Sequence, residues 1–163
     1  MSNAPGTPVP TLRPLQLEDL GRLLAIDQAH TGSVRRRFIE KRLAAVQSRP
    51  DDFLHVGVEL DGSLVGFALG RLLYGEFGQR EPIAVLDAMG VDPSSQEHGL
   101  GHALIEAVRE RARAKGVRWL HSQAEWMSHG LLRLFASSAF TLAQRVVLER
   151  GTSEPMVETG EPI

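Results

Sequence analysis

Ile83 to Val91 is an almost continuous run of apolar residues, interrupted by a single carboxylate, Asp87. An apolar run of this length, bounded by turn residues, reads as a strand covered on both faces. Covering both faces requires a layer on each side of a sheet, so the expectation is an α/β protein. Asp92-Pro93 ends the strand, and Gln96-Glu97-His98-Gly99-Leu100-Gly101-His102 turns straight into a helical period carried by Leu100, Leu104, Ala107 and Val108. That helix is expected to run to Lys115, with Gly116 just past its end.

The flanking segments supply the rest of the layers. Thr11 to Gln16 reads as a short strand, followed by a helix with Leu17, Leu20, Leu23 and Leu24 on one face up to about Ala29. Thr31-Gly32-Ser33 breaks the chain, and Ser33 is the expected N-cap of a second helix built on Ile39, Leu43 and Val46 and stopped by Pro50. Asp52–Leu60 and Leu64–Tyr74 are rich in strand formers and are joined by Asp61-Gly62, a dipeptide suited to a type I′ hairpin turn. Val117 to Ala124 reads as a strand, Met127 to Ser137 as a helix, and Thr141 to Glu149 as a last strand. The order is β-α-α-β-β-β-α-β-α-β in one domain over residues 11–150. Pro- and Gly-rich tails are expected at 1–10 and 151–163.

Composition narrows the function classes. The chain has 163 residues, a length that supports one core; 42% of them are hydrophobic and 23% charged, which describes an ordinary globular domain that folds alone or pairs as a homodimer. A net charge of -2 provides no global positive field for nucleic acid. There is no cysteine, hence no disulfide scaffold, thiolate nucleophile or Cys-ligated metal, and the expectation is a reducing, cytoplasmic setting. No apolar run reaches the roughly 20 residues a membrane span needs, and MSNAPGTPVP lacks the marks of a signal peptide. Six histidines are present, but no His/Asp/Glu cluster has ligand spacing, and His98 and His102 are separated by glycines ahead of the helix, so no metal site is expected.

The strand-to-helix turn is where chemistry is expected. The first amides of a helix lack intrahelical partners and carry the positive end of the dipole, which suits an anion, and glycines let the backbone approach it. The alternative is that Gly99 and Gly101 only shape a tight turn. A dinucleotide fingerprint is ruled out because Leu104 stands where its third glycine belongs, and a P-loop because neither Lys41 nor Lys115 follows a glycine loop.

Gln96-Glu97-His98-Gly99-Leu100-Gly101 resembles the Q/R-x-x-G-x-G/A pyrophosphate motif of the GCN5-related N-acetyltransferase (GNAT) family, and it stands between the fourth strand and the third helix, as in that family. RPLQLEDL resembles the family's first strand and helix, the Asp61-Gly62 hairpin its second and third strands, and LLRLFASSAF its last helix, so the likeness covers residues 11–149. The resemblance implies a mixed, mostly antiparallel sheet with a splayed parallel strand pair and flanking helices. It implies an acetyl-CoA-dependent N-acetyltransferase acting on a primary amine by direct attack. Backbone groups of Gln96, Gly99, Leu100, Gly101 and His102 would hold the CoA phosphates, pantetheine would run along the strand edge at Met89 and Val91, and Gly90 stands where the family often has a β-bulge.

Two departures stand out. The tyrosine that commonly reprotonates the CoA thiolate aligns with Phe135, and the usual glycine before Phe140 is Ala139. Solvent or another group supplies the proton, or a thiolate leaves without one; an acyl-CoA-binding module without turnover is the alternative that Phe135 favours. Asp87, desolvated among Val85, Leu86 and Met89, is the leading candidate for the general base, against the plainer reading that it bonds to neighbouring backbone or to an arginine. Glu125 follows the fifth strand, where the family often places acceptor-site residues. Arg35, Arg36 and Arg37 read as a solvated helix face paired with Glu40, and His121 and His129 as ordinary histidines near the acceptor end.

Overall fold

A computed structural model describes residues 9–96 and 98–153. The sheet has five strands in the order β1 (Thr11–Arg13), β2 (Phe53–Leu60), β3 (Ser63–Leu73), β4 (Ile83–Val91) and β5 (Leu120–Ser122). All neighbours are antiparallel except β4 and β5, which run parallel. Helices α1 (Leu20–Thr31) and α2 (Arg36–Ser48) lie between β1 and β2 in the chain, α3 (Leu100–Ala114) between β4 and β5, and α4 (His129–Ser137) after β5. Among the described residues no helix is long and apolar enough to cross a membrane.

The doubly covered strand accounts for two cores. On one face Leu100, Leu104, Ile105 and Val108 of α3 pack with Phe135 of α4 against Leu54, Val56, Val58 and Leu86. On the other, Leu23, Leu24 and Ile26 of α1 and Ile39 and Leu43 of α2 pack against Phe67, Leu69 and Ala88. β4 contributes to both, as its apolar sequence demands. The hairpin between β2 and β3 turns through Asp61 (φ 50°) and Gly62 (φ 76°), the pair of positive φ values a type I′ turn requires.

Several expectations are corrected. Ser33 does not cap α2; that helix begins at Arg36, because the Thr31 hydroxyl binds the Asp27 and Ser33 carbonyls and holds the link in its own turn. The first strand stops at Arg13, and the fifth is confined to Leu120–Ser122. The last strand, expected at Thr141 to Glu149, is absent: the segment is irregular, with Leu142, Val146 and Leu148 exposed by 89%, 81% and 87%. Alternating apolar residues equip a chain for a sheet, but a strand also needs a neighbour for its N–H and C=O groups, and this one has none in the five-stranded sheet. The expected tails fall outside the described residues at 1–8 and 154–163.

Helices α3 and α4 end in the same way. After α3, Gly116 (φ 76°) donates to Arg113 O and Val117 to Ala112 O; after α4, Ala139 (φ 62°) donates to Ala136 O and Phe140 to Phe135 O. This is the Schellman closure, and its usual apolar contact is the Phe135–Phe140 ring pair at 4.8 Å between centroids. The left-handed position is free for glycine but strained for alanine. An Ala139→Gly variant should therefore gain about 0.5–1 kcal/mol, and a thermal melt should show a rise of about 2 °C.

Candidate functional site

The site is built around one irregularity in β4. Leu69 of β3 stands opposite Ala88, but the next residue, Gly70, stands opposite Leu86, so Asp87 is an extra residue with no partner across the strand pair. Gly70 makes the bulge possible, since a Cβ there would lie 3.0 Å from the Val85 carbonyl oxygen. The extra residue turns two successive side chains to one side: Leu86 joins the α3 core, Asp87 reaches Arg42 of α2, Ala88 joins the α1–α2 core, and Met89 returns to the α3 side. The bulge thus falls at Asp87, not at Gly90, which pairs in regular register with Phe67. Gly90 is small for another reason. A Cβ there would meet Ile26 Cγ2, His30 Cδ2 and Phe67 Cε1 at 3.1, 3.2 and 3.3 Å.

The same point ends the contact with β5. Ala84, Val85 and Leu86 pair with Leu120, His121 and Ser122, and the Ser122 hydroxyl donates to Leu86 O at 3.0 Å. No pairing follows. Val91 stands opposite Gly66 while Asp92 N–H donates to Val65 O at 2.7 Å, so Val91 is in a non-hydrogen-bonded pair and its own N–H and C=O point away from β3. By alternation Met89 does the same. The two residues expected to line a ligand along the strand edge therefore present backbone groups on the edge that β5 has left.

That edge leads to the start of α3. Asp92 accepts from the Ser94 hydroxyl and amide at 2.6 and 2.9 Å and is paired with Arg22; those hydrogen bonds and the guanidinium hold its carboxyl below the usual range. Gln96 Nε2 lies 3.4 Å from Val91 O, and His98 Nδ1 is within 3.1 Å of the Ser95 and Gln96 carbonyls. Gly99 (φ 69°) is the N-cap, and Ala103 is the first amide to reach back to it, at 3.1 Å. The amides of Leu100, Gly101 and His102 precede that bond, so helix geometry gives them no intrahelical carbonyl. Gln96, Gly99, Leu100, Gly101 and His102 thus lie together on the turn into α3, and Glu97 lies outside the described residues.

Gly101 has a second duty. A Cβ on it would lie 3.0 Å from Leu134 Cδ2, so the missing side chain lets α4 press on the start of α3. The neighbouring His102 Nε2 meets Ser137 Oγ at 2.8 Å. Since Ser137 spends its proton on Leu134 O, the imidazole is the donor.

The candidate catalytic carboxylates have different surroundings. Asp87 is not in the apolar setting the sequence suggested: it is 3.0 Å from Arg42 and 3.2 Å from Arg71, and Arg42 also lies over the Phe38 and Phe53 rings. Glu125 is exposed beyond β5, its carbonyl accepting from Ser128 N–H. Arg36 pairs with Glu40 at 2.9 Å as expected, whereas Arg35 is drawn to the buried Asp27 by two hydrogen bonds. His30 is a residue that sequence reasoning missed. It stands at the end of α1, far from any motif, and its Nε2 is 2.6 Å from Val91 O on the open edge. A histidine in a helix's last turn followed by a glycine break was the only available signal.

The model of the acetyltransferase (GNAT) family matches residues 18–136. The chain belongs to this family. Mycothiol acetyltransferase of Sanguibacter keddieii is 31% identical over 144 residues, which are 86% of this chain and 45% of that protein, so the chain spans less than half of that relative. Among solved structures, the aminoglycoside N-acetyltransferase AAC(6')-Iy in complex with CoA aligns with a TM-score of 0.77 at 18% identity, covering 92% of this chain and 99% of that one. The ribosomal-protein-alanine N-acetyltransferase of Brucella melitensis aligns with a TM-score of 0.69 at 18% identity, covering 88% and 100%. At these identities the structures establish the shared GNAT fold.

His55 of β2 adds a titrating group within electrostatic reach of Arg42. It is 3% exposed, and neither ring nitrogen has a partner among the described residues. Burial, reinforced by Arg42 and Arg111, pushes its pKa down from 6.5 to about 4. The unfolded imidazole gains its proton first as pH falls, so folding is unaffected by this group above pH 6.5 and loses stability between there and pH 4. The full loss is about 3 kcal/mol. Urea midpoints measured at pH 7, 5 and 4 should fall steeply in the native protein and less so in a His55→Leu variant.

Proposed function

We propose that this chain transfers the acetyl group of acetyl-CoA to a primary amine by direct attack on the thioester. The observation that carries this reading is the continuity of one strand edge without a neighbouring strand, Met89 to Val91, with the amides of Leu100, Gly101 and His102, which have no intrahelical carbonyl. Pantetheine fits the first as an added strand, and pyrophosphate fits the second as an anion at a helix start. Gln96 and Gly99 shape the turn between them. Acetyl-CoA supplies the activated acyl group; the chain's own residues bind it, orient it and offer strand N–H groups to the oxygen that becomes negative.

The remaining roles follow from the surroundings. Asp87, with Arg42 on one side and Arg71 on the other, is better placed to hold α2 against the bulge than to exchange a proton with a substrate. Glu125, exposed beyond β5, is suited to attract a cationic amine. Phe135, 8% exposed and packed on Phe140, belongs to the core, so the thiolate is not protonated from that position. The amine-bearing acceptors named for the similar proteins define a first panel: aminoglycosides and peptides with an N-terminal alanine, with simple alkylamines as a baseline.

Two measurements check the reading. Thiol release with any member of the panel supports the transferase, whereas acetyl-CoA binding without turnover across the panel would replace it with the binding module. The cradle is tested by charge at constant shape. A Cβ at Gly99 meets nothing within 4 Å, and Asn and Asp both tolerate its positive φ. Gly99→Asp should bind acetyl-CoA about tenfold or more weakly than Gly99→Asn, about 1.4 kcal/mol, because its carboxylate faces the pyrophosphate. Equal affinities by calorimetry would remove the phosphates from this turn.

A further inference from the structure

We propose, on the transferase reading above, that His30 is the group that takes the proton from the attacking amine. Its ring lies on the face of β4 opposite α3, in the space that Gly90 leaves by having no Cβ, and reaches the backbone at the segment where β5 has departed. A carbonyl oxygen only accepts, so the 2.6 Å contact with Val91 O fixes the proton on Nε2. In the neutral ring Nδ1 is then the acceptor. The ring is held by its own hydrogen bond while its basic nitrogen is left for chemistry.

The other described histidines stand elsewhere in the fold. His55 is enclosed in the core, His98 is turned onto the Ser95 and Gln96 carbonyls, and His102 is bound to Ser137. His121 is on β5 opposite Val85, before the strands part, with burial and Arg145 lowering its pKa. His129 opens α4. The carboxylates on the elements that meet His30 are committed as well: Asp27 to Arg35, Asp92 to Arg22, Asp87 to Arg42 and Arg71. Of the described imidazoles and carboxylates, His30 is the one whose side chain meets a backbone group of the open edge.

In the step assigned to it, the amine nitrogen bonds to the thioester carbon, an N–H proton passes to Nδ1, and the C–S bond breaks to release CoA thiolate. The imidazolium then returns its proton to the thiolate or to water, which accounts for a site with phenylalanine at position 135. No other reactant is needed.

A His30→Gln variant tests this, because its amide can still donate to Val91 O but has no basic nitrogen. With an amine that the native protein acetylates, kcat should fall about a hundredfold or more while acetyl-CoA affinity by calorimetry stays within about threefold. The acidic limb of the native kcat/KM profile should vanish, and added imidazole should restore part of the rate of a His30→Ala variant. A His30→Gln protein that binds acetyl-CoA and turns over within about threefold of native, with the acidic limb unchanged, would overturn the assignment. Native protein silent towards every amine would instead overturn the transferase reading, so the native rate separates the two failures.

Discussion

A strand carrying one residue more than its neighbour cannot keep both partners in register, and in this protein that excess falls on Asp87. On the β3 side the bulge is absorbed by Gly70 and the ladder resumes at Ala88. On the β5 side pairing ceases at Leu86. The strand therefore stays anchored along one edge and loses its neighbouring strand along the other, the kind of edge on which an extended ligand can add as a surrogate strand. Arg42 and Arg71 compensate the charge that the bulge places between layers, so the same residue that opens the edge fastens α2 to it.

Glycine in the turn from Gln96 to His102 carries two separate constraints. Gly99 answers to backbone conformation alone, because it has positive φ and open space around it. Gly101 answers to packing, because Leu134 occupies the volume its side chain would need. A motif written as G-x-G hides that difference: the first glycine concerns the loop, and the second concerns a helix that arrives later in the chain.

The sequence was most legible where a single local rule decides the outcome. Ile83–Val91 was read with its observed bounds because apolarity on both faces and the Asp92-Pro93 stop leave little choice, and Asp61-Gly62 announced its turn through positive φ. The GNAT family and the turn from Gln96 to His102 were legible for the same reason, being one contiguous segment. What was missed depends on distant residues. Thr141–Glu149 has the alternation of a strand, but whether a neighbouring strand exists is not written in those nine residues. Asp87 looked desolvated because its sequence neighbours are apolar, whereas its companions are Arg42 and Arg71, 45 and 16 positions away. His30 lies 61 residues from the carbonyl it binds, a separation at which no spacing rule operates.

The presence of two cores divided by the sheet has a consequence for how such a chain can change. Residues on the α3–α4 face, such as Leu104 and Phe135, and residues on the opposite face, such as Ile39 and Leu43, belong to different clusters. Substitutions that do not touch one another tend to act independently. The α1–α2 layer can thus change in shape and charge without disturbing the packing of α3 and α4 on the other face. The sheet works as a partition between the two.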